Sequence, residues 1–184
     1  VLSLLVVLVG CGPKNTIEDT NIIVAASSTP HALILEQARE YVESKGYTLE
    51  IRTFNDYVIP NTITQDGEVD ANFFQHEPYL LDFNVKNNTQ LTSVLAVHFE
   101  PLGIYAGKKN LLDIIENARI GIANDASNGA RGLLLLAANN IITVDTTKGL
   151  NVTVNDIVEN PYNVQIVELE AAAIPAALED LDFG

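Results

Sequence analysis

The 184-residue chain has a single cysteine, Cys11, so no disulfide can form within it. Basic residues are scarce as well: 10 Lys and Arg stand against 24 Asp and Glu, for a formal net charge of −14. No basic stripe interrupts that acidity, which excludes a polyanion such as nucleic acid as a partner. Most of the acidity is a solvated surface and identifies no ligand. The uncharged opening, VLSLLVVLVG, is too short to cross a bilayer. The nucleophile elbow G-x-S-x-G and the phosphate-cradling loops are missing, and the three histidines have no evident nucleophile partner. These absences point away from an enzyme and away from any bound cofactor.

What is present is enough apolar residue, 47% of the chain, to bury a core in one or two lobes. The opening run fits the apolar part of a secretory signal whose basic start is missing. It ends at Leu8-Val9-Gly10-Cys11, which is similar to the lipobox of bacterial lipoproteins, where the cysteine receives lipid. Residues 1–11 are thus expected to be a partial signal and lipobox. Residues 12–20, GPKNTIEDT, read as a polar tether. Acyl chains on Cys11 would hold the mature protein at the membrane, on its extracytoplasmic side.

Folding proper starts near Asn21. Ile22–Ala26 reads as a buried strand, and Thr29 and Pro30 open a helix that carries Leu35, Ala38 and Val42 on one face and stops at Gly46. Thr48–Phe54 alternates apolar and polar residues, so strand, helix and strand predict a parallel βαβ unit. A helix over Pro60–Asp66, a strand over Ala71–Gln75 and a helix over Glu77–Val85 complete a first lobe, residues 21–103. Leu91–Gly107, broken by Pro101, is expected to cross extended to a second lobe, residues 104–184. There the spacing predicts helices at Asn110–Asn117, Asn128–Ile142 and Ala171–Glu179, with Pro175 in the first turn of the last. Strands are predicted at Arg119–Ala123, Val144–Thr147 and Val164–Leu169. LEDLDFG echoes the GEVDANFF of the first lobe, so the chain is expected to stop at the start of a strand, as a fragment at both ends. The fold class that follows is α/β, in two lobes.

One stretch, Phe54–Leu80, gathers Tyr57, Phe74, His76 and Tyr79. Residues just past the C-terminal end of a strand in an open α/β sheet are where ligands bind. These four can form an aromatic-walled pocket with one polar contact, or the aromatics can simply fill a core. Arg131 is expected in the first turn of a helix, where backbone N–H groups and the positive dipole end favour an anion. Its planar guanidinium can grip a carboxylate with two hydrogen bonds, and Asn128 lies on the same helix face, or it can be a surface arginine in a solvated ion pair.

The strings DYVIPN, GEVDANFFQHEPYL, HFEPLGIYAGK, IANDASNGARGLLLL and ENPYNVQIVELEA together resemble the NlpA-type, methionine-binding lipoproteins. These are the substrate-binding components of bacterial ABC importers. The resemblance runs from about Asn21 to Gly184. It implies a two-lobed periplasmic-binding-protein-like (type 2) fold that closes on its ligand, and a chain truncated at the C-terminus. It implies ligand-binding roles for Tyr57, Phe74, His76, Tyr79, Asn128 and Arg131, and places a further pocket asparagine beyond Gly184. Aromatic rings suit a methionine thioether. The implied partners are methionine or a close relative, a permease with its ATPase, and the membrane. Ala126 stands where the family usually has Pro. The alternative reading is a zinc-type importer protein using His76, His98 and Glu100, with His31 on a distant helix.

Overall fold

The computed structural model describes residues 20–110 and 115–184. The apolar run after Thr20 forms β1 (Asn21–Ser27), and a wide helical turn at Ser28–Ala32 leads into α1 (Leu33–Ser44). β2 (Thr48–Phe54) returns parallel to β1, paired from Asn21 with Thr48 to Ser27 with Phe54. α2 (Ile59–Gln65) then carries the chain to the other side of β1, where β3 (Ala71–Phe73) also pairs parallel. β1 is therefore the central strand, covered on both edges, and its Ala25 and Ala26 are wholly buried. A strand in that position reads as an unbroken apolar run rather than an alternating one. α3 (Glu77–Asn87) ends at Asn88, whose left-handed backbone (φ 52°) closes the helix.

Residues 89–105 form no helix or strand, as the extended crossing required. Beyond them, β4 (Arg119–Ala123) pairs parallel with β7 (Gln165–Leu169), and α4 (Ala126–Ala138) packs on β4. Ile120, Ile122, Leu133, Leu136 and Phe183 lie in the core between them. Gly129 is required there, because a Cβ would meet the Ala123 carbonyl at 2.7 Å. The start of α4 can thus press against the end of β4. The stretch Leu181–Gly184 is already in strand register: Gly121 donates to the Phe183 carbonyl at 2.9 Å, and Tyr105 donates to the Gly184 carbonyl at 2.8 Å. The molecule is α/β in two lobes, with a three-stranded sheet before the crossing and two two-stranded sheets after it among the described residues.

The departures from expectation are local. The helix expected over 110–117 falls largely on 111–114, outside the described residues. β5 (Thr143–Val144) is shorter than expected, because Asp145 accepts from the Thr147 amide and turns the chain into a 3₁₀ turn. Its antiparallel partner β6 (Ile157–Glu159) was not expected at all in that Asn-rich connection. The last helix is reduced to a turn at Ala171–Ala173 and α5 (Ile174–Ala177), with Pro175 at its second position. Strand β3 stops at Phe73 rather than Gln75.

Candidate functional site

The early end of β3 leaves Phe74, Gln75 and His76 just past the strand, on the way into α3. Phe73 and Phe74 project to opposite faces, as consecutive residues of an extended chain must. Phe74 joins Tyr57 (ring centroids 5.7 Å apart) and Tyr79 (6.0 Å), and Tyr79 packs on Phe83. The Tyr79 hydroxyl donates to the Tyr57 carbonyl at 2.9 Å, which ties the loop after β2 to the first turn of α3. Burial, with lesser pressure from Asp125, pushes the Tyr79 hydroxyl up to about 12. Phe74 and Tyr79 are buried within this group, so they are core and pocket wall at once. The loop bearing Tyr57 is held in turn by Asp56, whose carboxylate accepts from the amides of Val58 and Ile59 just ahead of α2.

Beneath the aromatic group lies a closed set of amides. Asn61, wholly buried, donates to Gln75 at 3.0 Å and accepts from it at 2.6 Å. Asn72 donates to Asn61 at 3.0 Å and to the Thr64 hydroxyl at 2.9 Å, and its own oxygen accepts from Gln75 at 2.8 Å. This set fixes the strand end from which Phe74 and His76 depart.

The second lobe supplies Asp125, Asn128 and Arg131. Asp125 is the N-cap of α4: one carboxylate oxygen accepts from the Asn128 amide at 2.9 Å and the other from the Asn128 side chain at 3.1 Å. The Asn128 oxygen accepts from Arg131 Nη1 at 2.9 Å, and Arg131 Nη2 donates to the Glu100 carbonyl at 3.2 Å. A guanidinium carries five N–H groups, so three remain for a ligand. Because Asp125 starts the helix at Ala126, Arg131 is its sixth residue and not in the first turn. The free first-turn amides are one turn away, and the case for Arg131 rests on its fork geometry and held position rather than on the helix end.

The two halves approach each other where α3 packs against α4. His76 is pushed below its ordinary range, chiefly by burial and then by the nearby Arg131 charge, with Asp125 opposing. Its Nε2 is buried without a hydrogen-bond partner, a donor or acceptor position left for a ligand. A hollow of about 170 Å³ lies beside the group, lined by Val58, Tyr79, Phe83 and Asp125 among others. A larger one of about 490 Å³ sits at the edge of the second-lobe core, lined by Ile104, Ile115, Leu135, Ile141, Tyr162 and Phe183. Among the described residues its lining has no charged group, so the convergence of polar donors, and not volume, marks the site.

All six expected residues are thus brought to one region, four on the first lobe and two on the second. Asp125 was missed; the signal was an Asp three residues before Asn128, the N-cap pattern. The alternative histidine set is not formed. Among the described residues the cluster that can hold a metal is His31, His98 and Glu100, and His76 is outside it. His31 is not distant: its ring centroid lies 5.1 Å from that of His98, because β1 ends beside β3 and the crossing stretch. Burial holds His31 below its ordinary range, against the pull of Glu100.

Comparison with known proteins places the chain in a family. The model of the family described as NlpA lipoprotein matches residues 22–184. The methionine-binding lipoprotein MetQ of Bacillus subtilis is 38% identical over 180 residues, covering 95% of this chain and 65% of its own length. The D-methionine-binding lipoprotein MetQ of Escherichia coli K12 is 37% identical over 179 residues, covering 96% of this chain and 66% of its own. The chain therefore spans about two thirds of the length of these relatives. The solved structure of lipoprotein Tp32 from Treponema pallidum superposes with a TM-score of 0.83 at 38% identity, covering 90% of this chain and 70% of that one. The order of strands, the crossing and the sequence match agree, and the chain belongs to the NlpA lipoprotein family.

Proposed function

We propose that the protein captures methionine, or a close relative carrying the same carboxylate and thioether, outside the cytoplasmic membrane for an ABC importer. The observation that carries this reading is Arg131, poised between Asn128 and the Glu100 carbonyl with donors to spare. Its free N–H groups would take the ligand's α-carboxylate in a paired contact. Asn128 and the vacant Nε2 of His76 would add polar contacts, and Tyr57, Phe74 and Tyr79 would wall the thioether. Relatives named for methionine support the ligand class, and their names differ over D-methionine. The capture role is binding without chemistry, with transport energy supplied by an ATPase elsewhere.

In this reading residues 1–11 are the end of a lipoprotein signal, Cys11 carries the lipid, and 12–20 are a tether. The lobes divide at residue 103, so that Glu100 belongs to the first and its carbonyl meets Arg131 of the second. Among the described residues no helix is long and apolar enough to cross a membrane, which fits an anchor of lipid.

The test is a cycle of calorimetric titrations. Truncating one partner of a buried, hydrogen-bonded charge pair costs roughly 2–5 kcal/mol. Arg131→Ala should therefore weaken methionine binding by about one and a half to three and a half decades, at ~1.4 kcal/mol per decade. Methionine amide lacks the carboxylate charge and should lose much less from the same substitution. The difference isolates the pair. A coupling energy near zero would place the carboxylate elsewhere.

A further inference from the structure

Two histidines and a carboxylate that methionine binding leaves unused meet on the other face of the β3 end. His31 follows β1, while His98 and Glu100 stand on the extended crossing. One donor atom from each lies within 4.8 Å of the others. His98 Nε2 is 3.1 Å from Glu100 Oε1, and His31 Nε2 is 3.9 Å from Glu100 Oε2. Around a tetrahedral zinc with bonds of about 2.0–2.1 Å, neighbouring donors sit about 3.3 Å apart. The first pair already fits. The second must shorten by some tenths of an ångström, and the Glu100 side chain, 50% exposed, has room to turn.

His31 is already oriented for such a role. Its Nδ1 shares a hydrogen bond with the Ser27 hydroxyl at 2.6 Å, which leaves Nε2 to face Glu100. Engagement of the second ring nitrogen by a protein group is how metal-binding histidines are fixed in tautomer and direction. The Phe73 ring meets His31 edge-on at 4.7 Å and His98 at 5.5 Å, giving both an apolar wall.

We propose that His31, His98 and Glu100 form a three-ligand site for a divalent transition metal of the zinc type, with Ser27 orienting His31 and water completing the coordination. Two imidazoles and one carboxylate suit such a cation better than calcium or magnesium, which take oxygen ligands. The metal clips the crossing to the start of the first-lobe helix. Glu100 also accepts from Arg131 through its carbonyl, so the clip steadies one of the two contacts that hold the arginine. None of the three donors is among the six residues assigned to methionine, and the site stands or falls without that ligand.

The experiment is zinc competition against a chromophoric chelator, on chain free of any polyhistidine tag and carrying Cys11→Ser to remove the thiol. One zinc per chain is expected. Glu100→Gln and His98→Ala should abolish that binding, and Ser27→Ala should weaken it by about 10–100-fold with unchanged stoichiometry. His76→Ala should leave zinc affinity unchanged. Thermal midpoints without zinc establish that each variant is folded, and zinc should raise the midpoint of the parent but not of Glu100→Gln. Should His98→Ala fail to fold, the half-exposed Glu100 variant carries the test alone. Absence of zinc binding, or binding that survives both ligand substitutions, overturns the proposal.

Discussion

Tyr57, Phe74 and Tyr79 reach the cleft by burial: each ring is placed by the rings it packs on, and one hydroxyl bond ties the group together. Arg131 reaches it by hydrogen bonds, through a relay that starts at the Asp125 cap and runs through Asn128. The difference has a physical cause. An apolar wall needs only shape, which packing supplies without direction, whereas a guanidinium needs an angle, and only directional bonds supply one. The first lobe should therefore tolerate exchange among apolar residues at its wall, while the second should not tolerate loss of a single acceptor.

The largest effect that sharpens this contrast lies under the arginine arm. Leu133, 1% exposed, packs α4 onto β4. Leu133→Ala should cost about 2–5 kcal/mol of stability in urea unfolding, while leaving methionine affinity of the folded fraction little changed. Loss of affinity greater than loss of stability would mean that packing, and not the cap, sets the arginine. Next comes the cap itself. Asp125→Ala should cost about 0.5–2 kcal/mol of stability and lower affinity as well, because Asn128 loses both contacts that aim it. Unchanged affinity would break the relay.

The smallest effect is a pH dependence. His31 and His76 are both held below their ordinary range by burial, so the folded state binds fewer protons than the unfolded one. Their contribution is complete above the unfolded value near 6.5 and is lost as the pH falls through it towards the folded values. Arg131 and Asp125 face His76, while Glu100 and His98 face His31. Urea midpoints should decline on acidification below about 6.5, and His76→Gln should flatten part of that slope. Asp156, held at about 2 chiefly by its bond from Lys148, starts to release its share only below the ordinary carboxylate value, further down in pH than the onset of the histidine loss. A flat profile between pH 7 and 5 would show that neither ring is desolvated.

Local pattern was a good guide where a run of residues decides its own conformation. Thr48–Phe54 and Arg119–Ala123 are strands over the very residues expected, because alternation and β-branching leave little else for them to do. It failed where one side chain moves a boundary, as Asp125 does by starting α4 two residues early. It failed again at β6, a three-residue strand that exists only because β5 lies alongside it. The meeting of His31 with His98 was invisible for a related reason. Sequence separation says nothing about which loops a parallel sheet brings to one edge, and these two stand 67 positions apart. The six proposed ligand-site positions came from family likeness; residue types alone left the aromatics between wall and core.

The amide set under the aromatic wall carries one more consequence. Asn61, Asn72 and Gln75 bond one another, with Thr64 taking one further bond from Asn72, so each side chain is most of the others' compensation for leaving water. Changing any one of them strands partners in a place where an unmet polar group costs about 1–3 kcal/mol, yet exchanging all of them for apolar residues of the same shape can be nearly neutral. The three positions should therefore show strong epistasis. A descent that wanders one substitution at a time must cross a valley to leave this arrangement, and laboratory libraries that vary the three together will find replacements that single-site scans reject.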